Sequence, residues 1–158
     1  MTEGAIPINP EDLPIDNVVM DDSLVYVGEL VKAVVAQKLD RNGAAYCSIQ
    51  VAVTDGDYEG RTVMRNYIQL PRAITSEMTK RDRILAQDGM VAFGRFCRAF
   101  GIRGTPMPEV DHRNPDTLQA WQDWIGKFYG NTGKFTVQNQ EYPEGSGRMR
   151  SGINDFVF

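Results

Sequence analysis

The amino-acid sequence predicts a mainly β fold of five antiparallel strands, three before and two after a helical insert. Three observations carry that expectation. Residues 24–70 alternate apolar and polar side chains with a period of two, broken by two turn signals. Residues 90–100 change to a helical period, and from Lys134 the period of two returns.

The first strand is expected over Leu24–Lys38. Val25, Val27, Val31 and Val35 fall on one parity, and Tyr26, Leu30, Val34 and Ala36 on the other. A strand apolar on both faces belongs in a sheet covered on both sides or curled into a barrel, and Gly28 marks an expected bend or bulge. Asp40-Arg41-Asn42-Gly43 is a strong turn, since Asn-Gly readily supplies positive φ. It leads into a second strand, Ala44–Thr54, in which Cys47, Ile49, Val51 and Val53 alternate with Tyr46, Ser48, Gln50 and Thr54. The turn Asp55–Gly60 then enters a third strand, Thr62–Leu70. There Met64, Ile68 and Leu70 share one parity and Arg65, Tyr67 and Gln69 the other. The outer face of this hairpin is thus expected to carry tyrosines, an arginine and amides. Pro71 ends the meander.

The helical insert is placed at about residues 73–125. Ala73–Gln87 predicts a short helix with Gly89 as its boundary. Met90, Phe93, Cys97 and Phe100 then recur at steps of three, four and three, one helix face, with Gly101 as the stop. A loop over 101–113 precedes Asn114-Pro115-Asp116, a cap with proline at the first helical position. Leu118, Trp121 and Ile125 form the apolar face of the helix that follows. Phe135 and Val137 against Thr136, Gln138 and Gln140 define a fourth strand, the glycine-rich turn Pro143–Gly147 reverses the chain, and Arg148–Phe158 is the fifth, with Ile153 and Phe156 in the core. This order is the connectivity of an OB-fold-like barrel, expected over residues 25–158. Such barrels present strands two and three to oligonucleotides.

Charge divides the chain. The net charge of −4 arises from residues 1–24, which hold six acids and no base, whereas the other 134 residues hold 17 basic and 15 acidic groups. Pro7, Pro10 and Pro14 rule out a helix there, so residues 1–24 are expected to be an acidic, extended N-terminal arm laid on the domain. The weakly positive remainder permits phosphate contact. The two cysteines, Cys47 and Cys97, sit in apolar patterns and read as buried free thiols in a reducing compartment. No run approaches the roughly 18 apolar residues of a membrane span, and no basic-then-apolar leader opens the chain. A cytoplasmic protein is expected.

Catalytic and metal patterns fail one by one. Asp55, Asp57, Glu59 and Gly60 match the first half of a calcium loop, but the twelfth position is Asn66 where a bidentate glutamate is required. His112 has Asp111 beside it but no HxxxH, CxxC or HExxH companion. Gly126-Lys127 and Gly133-Lys134 are each followed by phenylalanine, not the serine or threonine of a phosphate-binding loop. No serine lies in a triad context. The expectation is a non-enzymatic protein without cofactor or metal.

Single-stranded nucleic acid is held by a cationic groove and by aromatic faces that stack on bases. Tyr46, Tyr67 and Tyr142 lie on outward parities and Tyr58 at a turn tip; Arg41, Arg61, Arg65, Lys134, Arg148 and Arg150 are the cations nearest them in the pattern. Tyrosine is also favoured in strands for packing alone, so these residues fit a nucleic-acid surface without specifying one.

The pieces VGELVKAVVAQKLDRNGAAYCSIQVAV, DYEGRTVMRNYIQLP, FGRFCRAFGI and TGKFTVQNQEYPEGSGRMRSGINDF occur in that order. Together they resemble a family of small bacteriophage proteins with a G-x-Y-x-G-R-x-V hairpin and a closing GK-x-x-V…EY…R-x-x-I-x-x-F strand pair. Members of that family resemble OB-fold single-stranded DNA-binding proteins of phage replication and recombination. The resemblance covers about residues 25–158, rests on turn glycines and core apolars, and brings no catalytic signature. It implies a protein that coats and protects single-stranded DNA, without sequence readout, in replication, recombination or repair, in the cytoplasm of the host cell. Replication or recombination proteins are its further expected partners, and a homo-oligomer is among its expected states. Asn154–Phe158 has one acid and a strand pattern, unlike the acidic, phenylalanine-ended tip that follows a glycine-rich linker in bacterial single-strand-binding proteins. The competing expectation is an OB-fold protein-interaction or virion-assembly module.

Overall fold

The computed structural model describes residues 9–12, 19–108, 115–141 and 144–158. After a single 3-10 turn at Pro10–Asp12, three strands follow, β1 (Tyr26–Val35), β2 (Tyr46–Val53) and β3 (Thr62–Gln69). Two helices, α1 (Lys80–Ala99) and α2 (Pro115–Gly126), precede β4 (Thr132–Glu141) and β5 (Met149–Val157). All pairings are antiparallel, in the order β3-β2-β1-β4-β5. The fold is therefore α/β, a five-stranded antiparallel sheet with two helices between its third and fourth strands. Calling it mainly β understates the insert, whose helices bury Phe93, Phe96, Trp121 and Trp124 in the common core.

Three bulges account for the strand patterns. The register of β1 on β2 shifts between Leu30 and Lys32, which leaves Val31 as the extra residue. Tyr26, Gly28 and Leu30 face inward before it, and Ala33 and Val35 after it. The two apolar parities of this strand are thus one inward face whose phase changes, with Val31 and Val34 left exposed. Gly28 is not the bulge. It is a close-approach point, where a Cβ would stand 2.3 Å from Val51 Cγ1 and 3.0 Å from the Ala52 carbonyl. On β3 a second bulge lies opposite Cys47–Ile49, whose partners are Ile68 and Arg65, so Val63 points inward before it and Ile68 and Leu70 after it. The third leaves Asn154 unpaired on β5 and keeps both Ile153 and Phe156 in the core.

The expected barrel is not closed. β3 and β5 are the edge strands and share no ladder. They approach nonetheless: Arg65 donates from Nη1 to the Asn154 carbonyl at 3.1 Å, and the Met64 carbonyl lies 3.4 Å from where a Gly152 Cβ would stand. Helix α1 reaches both edges of the opening. Its Gly89 receives the Gln69 side chain of β3, its Arg95 makes a bidentate 3.0 Å pair with Asp155 of β5, and Phe100, which follows its last residue as the C-cap, lies on Gly133 of β4. The stack of Phe93, Phe96, Phe100 and Phe156 fills the space behind it. Apolar burial by a helix thus covers the edges that a closing ladder would have paired.

α1 is one helix of 20 residues, not a short helix and a second after Gly89. Thr79 caps it, accepting from the Asp82 N–H at 3.1 Å, and Gly101 follows its end at φ +64°. Its buried face is Ala86, Gly89, Phe93 and Phe96; Met90 is exposed and Cys97 only half-buried. The second helix buries Leu118, Trp121 and Ile125 as expected, and Trp124 with them. It also completes β1. Beyond Glu29, β1 has no strand on its β4 side. There the Gln122 amide accepts from the Val35 N–H at 2.7 Å and donates to the Ala33 carbonyl at 2.8 Å, while the Tyr129 hydroxyl exchanges hydrogen bonds with both backbone groups of Ala33. Side chains stand in for a missing strand.

Of the acidic arm, Val19–Leu24 and the 3-10 turn are described. Met20 is a core residue at 3% exposure, its N–H donates to Ser151 Oγ and its carbonyl accepts from Asn139 Nδ2, so the arm is tied to β4 and β5. The expected cap at Asn114, His112 and Tyr142 lie outside the described residues. Among the described residues no helix is long and apolar enough to cross a membrane, and no three His, Cys, Asp or Glu side chains cluster as metal ligands would. Cys47 and Cys97 are both free thiols.

Candidate nucleic-acid interface

The β1–β2 turn is built on Asp40. Its Oδ1 accepts from the N–H groups of Asn42 and Ala44 at 2.8 and 2.9 Å, and Gly43 takes the positive φ of +75° that the turn requires. Its Oδ2 accepts from the Tyr67 hydroxyl at 2.7 Å. Burial acts to raise the Asp40 pKa, but these hydrogen bonds and the nearby Arg72 guanidinium outweigh it and hold the carboxyl below its usual range. Burial and the Asp40 carboxylate push the Tyr67 phenol in the opposite direction, well above its ordinary value. Tyr67 is thereby fixed as a neutral donor.

Tyr67 stacks on Tyr46 with ring centroids 5.2 Å apart and planes at 28°. Tyr46 pairs with Gln69, which makes Tyr67 its diagonal neighbour on the same face of the sheet. The two expected platforms are therefore one two-ring unit. Tyr67, at 44% exposure, lines a cleft of about 450 Å³ between β3 and α1, and Tyr46 backs it from the side away from the cleft. Three arginines line the same cleft, Arg41, Arg65 and Arg72, against two acids, Asp40 and Asp88. Arg81 lies one helical turn before Leu85, on the face of α1 that borders the cleft. At the base are Gln69, 9% exposed, and Gly89, where a Cβ would fall 2.8 Å from Gln69 Cδ. Gln69 Nε2 and Arg72 Nε are buried donors without a hydrogen-bond partner among the described residues.

Of the other expected site residues, only Arg41 and Arg65 join this unit among those described. Arg65 belongs to it but is partly engaged, with its guanidinium on the Asn154 carbonyl and 5.6 Å above the Phe156 ring. Arg150 reaches Met64 Sδ at 3.8 Å across the β3–β5 opening, and Arg148 is exposed just before it. Tyr58 turns inward and packs edge-on against Tyr26, centroids 5.9 Å apart, so it presents a structural edge instead of an open face. Arg61 is exposed beside it. Lys134 pairs with Val27, eight residues along β1 from Val35, which pairs beside Tyr46; that is about 26 Å of strand. Lys134 lines a separate depression with Arg98 and Phe158. Tyr58, Arg61 and Lys134 therefore occupy the far end of the sheet.

Arg72, Gln69 and Asp40 were not legible as site residues. Gln69 and Arg72 flank the strand-ending Leu70-Pro71, and their convergence depends on where α1 packs. Asp40 carried a signal, since an Asp opening an Asn-Gly turn commonly accepts from its own loop. Compared with protein-family models and with curated proteins, the chain matches none.

Proposed function

We propose that the protein binds single-stranded DNA without catalysis and largely without sequence readout, acting as a coating protein in DNA replication, recombination or repair. The observation that carries the reading is the stacked Tyr46–Tyr67 pair on the exposed side of β2 and β3, bordered by a cleft with Arg41, Arg65 and Arg72. An open aromatic face beside guanidinium groups is what a base and its phosphate require together. The strand order with helices between β3 and β4 supports reading the sheet as an OB-fold left open between β3 and β5. In that fold, strands two and three carry the ligand. The resemblance to phage single-stranded DNA-binding proteins supports the same reading and a host-cytoplasmic setting.

The second reading, a protein-interaction or virion-assembly module, is favoured by the exposed Val31 and Val34 on the outer side of β1. A titration of labelled oligo-dT and of a matched duplex across salt concentrations separates the two. The DNA reading expects single-strand preference with affinity falling linearly in log salt. Binding to neither puts the interaction module ahead.

A further inference from the structure

The cleft between β3 and α1 has a chemistry that a surface tolerant of any base does not need. Its two unpartnered buried groups, Gln69 Nε2 and Arg72 Nε, are both donors. Leaving such donors unpaired is unfavourable, and both seek acceptors. One is neutral and the other cationic, which selects a neutral acceptor beside an anionic one. Tyr67 forms an aromatic wall, closed on its far face by Tyr46. The volume, about 450 Å³, lies in the range of small-ligand pockets. Gly89 admits the Gln69 amide to the base of the cleft beside α1, since any side chain there would collide with it. The terminal amide torsion of glutamine is soft, so the Gln69 amide can turn its N–H toward the opening.

Resting on the single-stranded DNA reading, we propose that this cleft takes one extruded nucleotide whose base bears an exocyclic carbonyl, such as thymine. The carbonyl accepts from the Gln69 amide, the ring lies on Tyr67, and the phosphate lies on Arg72 with Arg41 at the rim. The protein would then read one base chemically while the rest of the strand is held by charge and stacking.

The test compares oligo-dT with the same oligomer in which thymine is replaced by difluorotoluene, an isostere that keeps ring shape and stacking but lacks the carbonyl acceptors. Each is titrated into wild-type protein and into Gln69→Leu at one salt concentration. Wild type is expected to prefer oligo-dT by about 3- to 10-fold, the range of one hydrogen bond. Gln69→Leu is expected to lose that preference and to bind the two oligomers alike. Equal binding of both oligomers by wild type overturns the pocket but leaves single-strand binding intact, and this arm needs no variant to fold. A preference that survives in a folded Gln69→Leu also overturns it, because the carbonyl is then read elsewhere. Failure of wild type to bind either oligomer overturns the function and the pocket together. Displacement of bound oligo-dT by polyglutamate at equal charge would make the cleft an acidic-peptide site and would likewise overturn the nucleotide assignment.

Discussion

Gln122→Ala tests whether side chains replace a strand along β1. In the native protein Gln122 Oε1 is the acceptor for the Val35 N–H, and Val35 is 1% exposed. Removing the amide leaves that N–H buried and unpaired, a cost of about 1–3 kcal/mol. The Ala33 carbonyl also loses the Gln122 donor but keeps the Tyr129 hydroxyl at 2.9 Å, so its loss stays near the net worth of one hydrogen bond, about 0.5–1.5 kcal/mol. Together the variant should lose about 1.5–4.5 kcal/mol. Gln119→Ala is the control: it sits three residues earlier on the same helix and loses only an exposed hydrogen bond to Asp123, so it should change stability by less than about 0.5 kcal/mol. Urea unfolding followed by tryptophan fluorescence measures both, since Trp121 and Trp124 are buried beside the site. Equal midpoints for the two variants would refute the view that α2 completes the sheet.

Three further predictions follow from packing, titration and the arm. Gly28→Ala drives a Cβ into Val51 and the Ala52 carbonyl and should destabilise by at least about 1–3 kcal/mol, read as a lower thermal midpoint; an unchanged midpoint would mean that β1 and β2 are not packed as described. Burial pushes the Cys47 thiol up to about 12 from 9.0. The unfolded chain therefore releases a proton that the fold retains, so stability is intact below pH 9 and falls as pH rises above it. The loss should be on the order of 1 kcal/mol at pH 10, with Cys97 acting in the same direction, and should shrink in Cys47→Ala; identical pH profiles for the two proteins would contradict it. Deleting residues 1–18 removes most of the acidic arm while leaving Met20 docked, and it should raise oligo-dT affinity and alter its salt slope if the arm competes for the cationic surface; an unchanged affinity and slope would dismiss that role.

The order of elements was readable because local chemistry dictates it. The Asn-Gly turn at Gly43, the Pro71 stop and the helical recurrence of Phe93 and Phe100 each act within a few residues. What was not readable depends on pairing between distant segments. A bulge is a mismatch between two strands, so the phase change at Val31 appears in one strand's sequence only as hydrophobicity on both parities. Gly89 looked like a helix boundary because glycine disfavours helix, whereas its role is to admit Gln69 from β3. Closure of the barrel was expected from the order of elements and from the two apolar parities of β1, and neither says that α1 will cover the open edges. The same distinction governs the site. Tyr46 and Tyr67 were legible from parity, but their stacking, the separation of Tyr58 and Lys134, and the convergence of Arg72 with Gln69 all depend on tertiary packing.

The central claim is that the Tyr46–Tyr67 face receives single-stranded DNA. Its most direct test is the affinity of a folded Tyr46→Ala, Tyr67→Ala double variant for oligo-dT at fixed salt, beside Lys134→Ala as a distant cation. Stacking on an aromatic residue is worth about 1–3 kcal/mol per base, so loss of even one platform should weaken binding by at least about 5-fold. Lys134→Ala should weaken it by less. A double variant that binds oligo-dT as tightly as wild type would contradict the account and move the site off this face.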